Sequence, residues 1–214
     1  MIVGPVGGVM LIPTALGVSP VGSDTHLLAA LGNELAPLTA LDMGTGSGYI
    51  AVALALTGVA CTATDISEFA LINAQELAQH NRCEVRFVRS DLFSHVSGRY
   101  DLVLFNPPFG HSQSVKVSRW LDVIKSMIPK EHPVVRRVVF ELVRPARARM
   151  LERFLQQVLD HLQPGGSVLL FIHRREVTLT TGWRGEVVAT DREFRVVRLW
   201  PTTTHSQHYS KSVI

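Results

Sequence analysis

The chain is poor in cysteine, in aromatic residues and in charge. Its two cysteines, Cys61 and Cys83, sit in or beside apolar runs of a 214-residue sequence and have no spaced partners. That excludes a disulfide framework and points to a reducing compartment. No CxxC pair and no cluster of His with Cys is present, so no metal site is expected. Charged residues make up 18% and aromatics 7%, against 46% apolar content, a balance that builds one good core in a single domain of this length. Met1 to Ser23 lacks charge altogether but is broken by Gly4, Pro5, Gly7, Gly8, Pro13, Gly17, Pro20 and Gly22. This is neither a signal peptide, which needs a basic start and an unbroken apolar stretch, nor a membrane helix. A cytoplasmic protein with no membrane partner is the expectation.

Charge is unevenly spread. Between Ser112 and Met150 there are nine basic residues (Lys116, Arg119, Lys125, Lys130, Arg136, Arg137, Arg144, Arg147, Arg149) against Asp122, Glu131 and Glu141, so this stretch carries +6 and the rest −3, for +3 overall. It is either a patch that attracts an acidic partner such as RNA, by way of phosphate contacts from Arg136, Arg137, Arg144 and Arg147, or a solvated arginine-rich helix face.

From Leu38 onward short apolar runs alternate with helical periods. The spacing predicts strands over Leu38–Met43, Val59–Thr64, Val85–Arg89, Asp101–Phe105 and Ser167–Ile172, with helices over Tyr49–Thr57, Glu68–His80 and Pro145–His161. Gln163-Pro164-Gly165-Gly166 reads as the stop of the last helix. Strands over Gly185–Thr190 and Phe194–Trp200, separated by three residues, read as an antiparallel hairpin. The alternation implies an α/β fold, a mostly parallel sheet with helices on both faces and ligands at the carboxyl ends of the strands. The expected organisation is an apolar Gly/Pro-rich segment over 1–23, a catalytic domain over 24–201 with a basic insertion over 110–149, and a polar tail over 202–214.

Two motifs carry the chemistry. Asp42-Met43-Gly44-Thr45-Gly46-Ser47-Gly48 turns the chain at the end of the first strand, and Asn106-Pro107-Pro108-Phe109 follows the fourth strand, 58 residues past Gly48. Glycines at alternate positions let backbone turn sharply and approach a ligand closely. A dinucleotide fold would want its third glycine where Tyr49 stands, so a nicotinamide cofactor is disfavoured. Asp42, Asp65 and Asp91 fall at the ends of three successive predicted strands. One such Asp is as readily a turn former or helix cap, but three in series point to a ligand.

Together the motifs resemble class I S-adenosylmethionine-dependent methyltransferases of the Asn-Pro-Pro-(Phe/Tyr) type, which act on planar nitrogens. Within that group Asp65-Ile66-Ser67, Asp91-Leu92-Phe93, Tyr100-Asp101-Leu102-Val103 and Asp24-Thr25 followed by Leu27-Leu28 are similar to the HemK-type protein glutamine methyltransferases. The resemblance implies a Rossmann-like seven-stranded sheet and S-adenosyl-L-methionine as cofactor. It places Asp42 at the cofactor's methionine portion, Asp65 at the ribose and Asp91 at the adenine, with Ile66, Leu92, Gly44, Gly46, Gly48, Thr25 and Asn106 also among the cofactor-binding residues. The helical N-terminal domain of the bacterial enzymes has no counterpart, which implies a catalytic domain alone, as in short relatives that work with a small partner subunit.

An amide or aromatic amine is a poor nucleophile because its lone pair is delocalised. The side-chain oxygen of Asn106 and the Pro107 carbonyl are suited to accept its two N–H bonds and aim the lone pair, the prolines stiffen the turn, and Phe109 is placed to stack on the substrate. No strong general base is required, and His111 reads as a surface residue. A protein glutamine stands first among substrates. Phe109-Gly110 also resembles RNA N6-adenine and N2-guanine methyltransferases, and a DNA base, a small molecule or a non-catalytic binding subunit remain alternatives.

Overall fold

The computed structural model describes residues 8–15, 18, 20–108, 133–174, 176, 182–190 and 193–202, with backbone alone for 133–143. Phe109, Gly110, His111, the basic residues from Lys116 to Lys130, and the tail beyond Thr202 lie outside the described residues. The chain divides into two compact units, Met1–Asn106 with Phe154–Ile214, and Pro107–Arg153.

The first unit is built on seven strands: β1 (Thr39–Met43), β2 (Ala60–Asp65), β3 (Val85–Arg89), β4 (Tyr100–Phe105), β5 (Leu162–His173), β6 (Trp183–Thr190) and β7 (Phe194–Pro201). They form one sheet in the order β3-β2-β1-β4-β5-β7-β6. The first five strands in that order pair in parallel, while β7 is antiparallel to both β5 and β6. The central β1 and β4 are buried nearly throughout, as the Ala-Leu and Leu-Val-Leu-Phe runs require when helices cover both faces. Asp101 fastens their starts: its Oδ2 accepts the Thr39 N–H and the Thr39 hydroxyl, each at 2.9 Å.

Helix α1 spans Ser23–Glu34, α2 Tyr49–Ala55, α3 Glu68–His80 and α4 Pro133–Gln157. Tyr49 through Leu54 are all buried, in keeping with the all-round apolar sequence of α2. Ser67 caps α3 by accepting the Ala70 N–H at 3.4 Å, and Ala70, Leu71, Ala74, Leu77 and Ala78 form its buried face. Cys61 in β2 is buried and free, and burial pushes its thiol well above the ordinary range.

Three elements differ from the sequence expectation. Helix α1 is not foreshadowed by an apolar stripe, because only Leu28, Ala29 and Gly32 are buried. Gly32 is what lets it pack: a Cβ there would stand 3.0 Å from Leu104 Cδ2 and 3.2 Å from Leu54 Cδ2. The expected helix over Pro145–His161 begins twelve residues earlier in α4, carries Pro145 in its interior, and ends in a 3₁₀ turn over Val158–His161. Gln163-Pro164-Gly165-Gly166 is not a helix stop but a bulge in β5, since Leu162 pairs with Tyr100 and the next pair is Leu102 with Ser167. Gly166 is obligatory in it, because a Cβ would lie 2.9 Å from the carbonyl oxygens of both Tyr100 and Gln163.

Gly48 joins fold to site. Its φ is +84°, and a Cβ there would sit 2.7 Å from Ala74 Cα in α3. Gly48→Ala combines left-handed backbone strain with overpacking against a helix backbone and should cost at least about 2 kcal/mol of stability. Urea denaturation checks this, and a change within the noise of the measurement would mean that α3 moves freely away from the turn.

Candidate active site

Sheet order reverses at β1: the chain goes outward to β2 and β3, then returns to β4 on the other side. The crevice for a ligand in such a sheet lies beyond the carboxyl ends at that reversal. Pairing register places the motifs there. Met43 is opposite Phe105, Met43 is opposite Thr64, and Asp65 is opposite Arg89. The glycine turn after β1, Asn106 after β4, Asp65 ending β2 and Asp91 just past β3 therefore share one edge of the sheet.

The glycine turn is held from both sides. Gly44, Gly46 and Gly48 have φ of +66°, +54° and +84°, conformations that a side chain would strain. The Thr45 hydroxyl donates to Asp42 Oδ2 at 2.6 Å, and the Gly46 N–H donates to Asp65 Oδ2 at 3.0 Å. Asp65 Oδ1 accepts the Ser67 N–H at 2.9 Å, so each carboxylate oxygen keeps further acceptor capacity. A Cβ on Gly46 would meet nothing nearer than the Gly44 carbonyl oxygen at 4.0 Å, which leaves the space over the turn open. The tip is thus kept bare by choice of residue, not by crowding.

Asp42 is 1% exposed. Burial is the main reason its carboxyl is pushed up to about 6, with the charge of Asp65 adding to the rise and hydrogen bonds from Thr45 and the Ala51 backbone opposing it. Asp91 is exposed. The loop it opens is shaped by Ser90, a residue with no signal in the sequence: its buried hydroxyl donates to the Leu92 carbonyl at 2.7 Å and accepts the His95 N–H at 3.0 Å. Leu92 pays for that shape with a φ of +50°, a conformation that costs a non-glycine residue on the order of 1–2 kcal/mol.

Asn106 is reached from the first turn of α1. Its Nδ2 donates to Asp24 Oδ2 at 2.7 Å, while its Oδ1 is buried and has no hydrogen-bond partner among the described residues. Thr25, half-buried, follows Asp24 in the same turn. Helix α1 is tied to α2 by His26 Nδ1 and the Tyr49 hydroxyl, 2.7 Å apart. The sequence marks Asp24-Thr25 as a motif, but neither the pairing of Asp24 with Asn106 nor that of His26 with Tyr49 has a local signature.

In the second unit, Arg147 does not follow the phosphate-contact alternative. It is buried, and its Nη1 donates to the carbonyl oxygens of Pro107 at 2.6 Å and Pro108 at 3.0 Å. It is thus an internal brace of the proline turn and is not presented for phosphate contact, whereas Arg144 and Arg149 are exposed. The Pro107 carbonyl retains a second lone pair.

A broad hollow of about 1360 Å³, lined by Gly58, Cys61, Arg82 and Arg99 among others, lies at the opposite, amino end of the strands. It contains neither the glycine turn nor any of the three acids, so its size does not make it the site.

Residues 21–130 match the methyltransferase small domain family model. The chain belongs to that family. Its members use S-adenosylmethionine, and the methyltransferase small domain matched in this chain contains the glycine turn, all three acids and Asn106. The chain is 38% identical over 156 residues to a release factor glutamine methyltransferase of Koribacter versatilis, covering 69% of this chain and 51% of that protein. It is 39% identical over 89 residues to a ribosomal RNA small subunit methyltransferase C of Alcanivorax borkumensis, covering 41% and 27%. The chain spans about a quarter to three fifths of the length of the curated relatives it matches. In fold it is similar to a ribosomal protein L11 methylase of Lactobacillus delbrueckii, with TM-score 0.60, 20% identity, and coverage of 89% of this chain and 84% of that one. This likeness bears out the class I methyltransferase architecture.

The elevated Asp42 carboxyl makes stability depend on pH. A native pKa of about 6 against 3.8 for the free group means that the folded state binds more protons between those values. Stability contributed by this group is therefore full below about pH 4 and falls as pH rises towards 6, by on the order of 3 kcal/mol. Asp42→Asn should gain stability over the parent across that window. Denaturation of both proteins at several pH values tests it, and a difference that does not vary with pH would refute the assignment.

Proposed function

We propose that this chain transfers the methyl group of S-adenosylmethionine to a planar nitrogen that bears hydrogen, with a protein glutamine amide as first substrate. The supporting observation is the Asn106 amide, whose nitrogen is committed to Asp24 while its buried oxygen has no partner among the described residues. An unpaired buried acceptor costs about 1–3 kcal/mol, and a substrate N–H relieves that cost. An oxygen held in this way strengthens its bond as the substrate nitrogen gives up its lone pair and its hydrogens become more acidic. The Pro107 carbonyl is the second acceptor and Phe109 the stacking surface.

The cofactor supplies an electrophilic methyl group, and the residues of the glycine edge suit it. The open tip at Gly46 admits a ligand against bare backbone. Asp65 has acceptor capacity on both oxygens for the two ribose hydroxyls, with Ile66 beside it, and Asp91 with Leu92 serves the adenine. Gly44, Gly48 and Thr25 complete the surround. Asp42, a buried carboxylate above its pKa at neutral pH, suits the cofactor's ammonium group.

The glutamine reading is supported by the relative that covers 69% of this chain, named a release factor glutamine methyltransferase. Relatives named ribosomal RNA methyltransferases favour a second reading, an exocyclic amine of an RNA base.

Labelled S-adenosylmethionine incubated with purified release factor and, separately, with small-subunit ribosomal RNA tests the reading. Methylglutamine in the protein is expected. Methylated guanine or adenine in the RNA would replace it with the second reading, and label in neither would replace both with a small-molecule substrate or a binding subunit. Asp65→Ala should weaken cofactor binding by about 1.5–3 kcal/mol by calorimetry. Asn106→Ala should lower turnover by about 10²–10³ with little change in cofactor affinity. Cofactor affinity should also fall as pH drops through about 6, since protonated Asp42 no longer attracts an ammonium group.

A further inference from the structure

We propose that Asp24 is a positioning residue that sets the polarity of the Asn106 side chain, so that an acceptor and never a donor faces the substrate. This rests on the reading that Asn106 works through its oxygen. The difficulty it resolves is intrinsic to asparagine: rotating the amide by half a turn exchanges oxygen for NH₂ at almost the same volume, and the wrong orientation would set two donors against the substrate's own N–H bonds. Something must distinguish the two states. A carboxylate does so completely, because it only accepts. Asp24 Oδ2 lies 2.7 Å from Asn106 Nδ2 across 82 residues of sequence, and the orientation it selects is the one that leaves Oδ1 buried and without a partner among the described residues.

The helix that carries the half-buried carboxylate is held at both ends. It is anchored through the His26–Tyr49 hydrogen bond at 2.7 Å, with the two rings edge to face at 4.6 Å, and at the far end through the Thr57 hydroxyl donating to Asn33 Oδ1 at 2.8 Å. On the other side, a Cβ added to Gly22 would collide with Asp24 Oδ1, so a larger residue there would make the carboxylate shift. The negative charge has a second effect. By accepting from Nδ2 it polarises the amide and raises the negative character of Oδ1, the kind of mutual strengthening expected in a chain of hydrogen bonds.

An exchange of polarity across the pair tests this. Asp24→Asn can offer its own NH₂ and no longer selects one orientation, so turnover should fall by about 10²–10³, comparable to loss of a preorganised acceptor, with cofactor affinity nearly unchanged. Asn106→Asp alone puts two carboxylates together and should also be impaired. The double variant Asp24→Asn/Asn106→Asp restores one donor facing one acceptor and again presents an oxygen to the substrate, so it should exceed both single variants by at least about tenfold, a coupling that independent sites do not show. Gly22→Ala, which leaves both residues in place and only crowds the carboxylate, should lower turnover by a smaller factor. Turnover is read on whichever of release factor or ribosomal RNA the parent methylates.

A substrate-free measurement accompanies these. In ¹⁵N-labelled protein the Asn106 side-chain NH₂ signals, identified by their loss in Asn106→Ala, should show one proton shifted downfield and slow to exchange, and Asp24→Asn should abolish both properties. Ordinary, fast-exchanging signals in the parent would overturn the proposal even if neither substrate is methylated. Parent-like turnover in Asp24→Asn with an inactive Asn106→Ala would overturn the role of Asp24 alone, whereas parent-like turnover in Asn106→Ala would remove the acceptor reading with it. A double variant no better than the single ones, or a defect confined to cofactor affinity, would also overturn it by making Asp24 merely structural or a cofactor contact.

Discussion

The parallel register that sets Met43 opposite Phe105 is the constraint on which the site depends. Because β1 and β4 end level with each other, the glycine turn and Asn106 leave the sheet side by side. The short β2 and β3 then bring Asp65 and the Ser90-Asp91 corner to the same edge. A slip of one residue in any pair would turn alternate side chains to the other face. The hydrogen bonds of Asp101 to Thr39 guard against this at the opposite end of the same two strands, where they cost the site nothing.

On that edge two buried polar groups stand in unfavourable states. Asp42 keeps a carboxyl in a dry setting that raises its pKa to about 6, and Asn106 keeps an oxygen without a donor among the described residues. Leu92 adds a left-handed backbone. Such costs gather where a protein is shaped to meet a ligand, since folding alone would select against each of them. The chemistry of the two groups also differs: a carboxylate is suited to a cation, and an amide oxygen to N–H bonds.

Much of the architecture was legible from local pattern. The limits of α3 and β3 follow the sequence periods residue for residue, and the closing hairpin of β6 and β7 follows from the short polar break between two β-rich runs. Errors arose where local signals conflict with packing. Pro145 reads as a helix start because proline is tolerated in a first turn, yet it lies inside α4. Pro-Gly-Gly reads as a helix stop, yet it is a bulge that lets β5 pass within reach of the Tyr100 carbonyl. Helix α1 gave almost no signal, because a glycine, an asparagine and few apolar residues suffice when a helix needs only a narrow contact.

The sequence by itself determined which groups are candidates for the site and in what order they occur: the three glycines, the acids at successive strand ends, and the Asn-Pro-Pro turn. These are properties of short segments, since a glycine is needed wherever backbone must be bare and a proline wherever it must be stiff. What only the tertiary structure decided is which of those groups are already engaged. Asp24 meets Asn106 over 82 residues, and Arg147 meets the Pro107 and Pro108 carbonyls over about forty. Both pairings turn on where crossover connections and a helix return the chain, and no local period encodes that. An asparagine shows in the sequence that it can donate and accept; which of the two it offers a substrate is settled by the partner that takes the other.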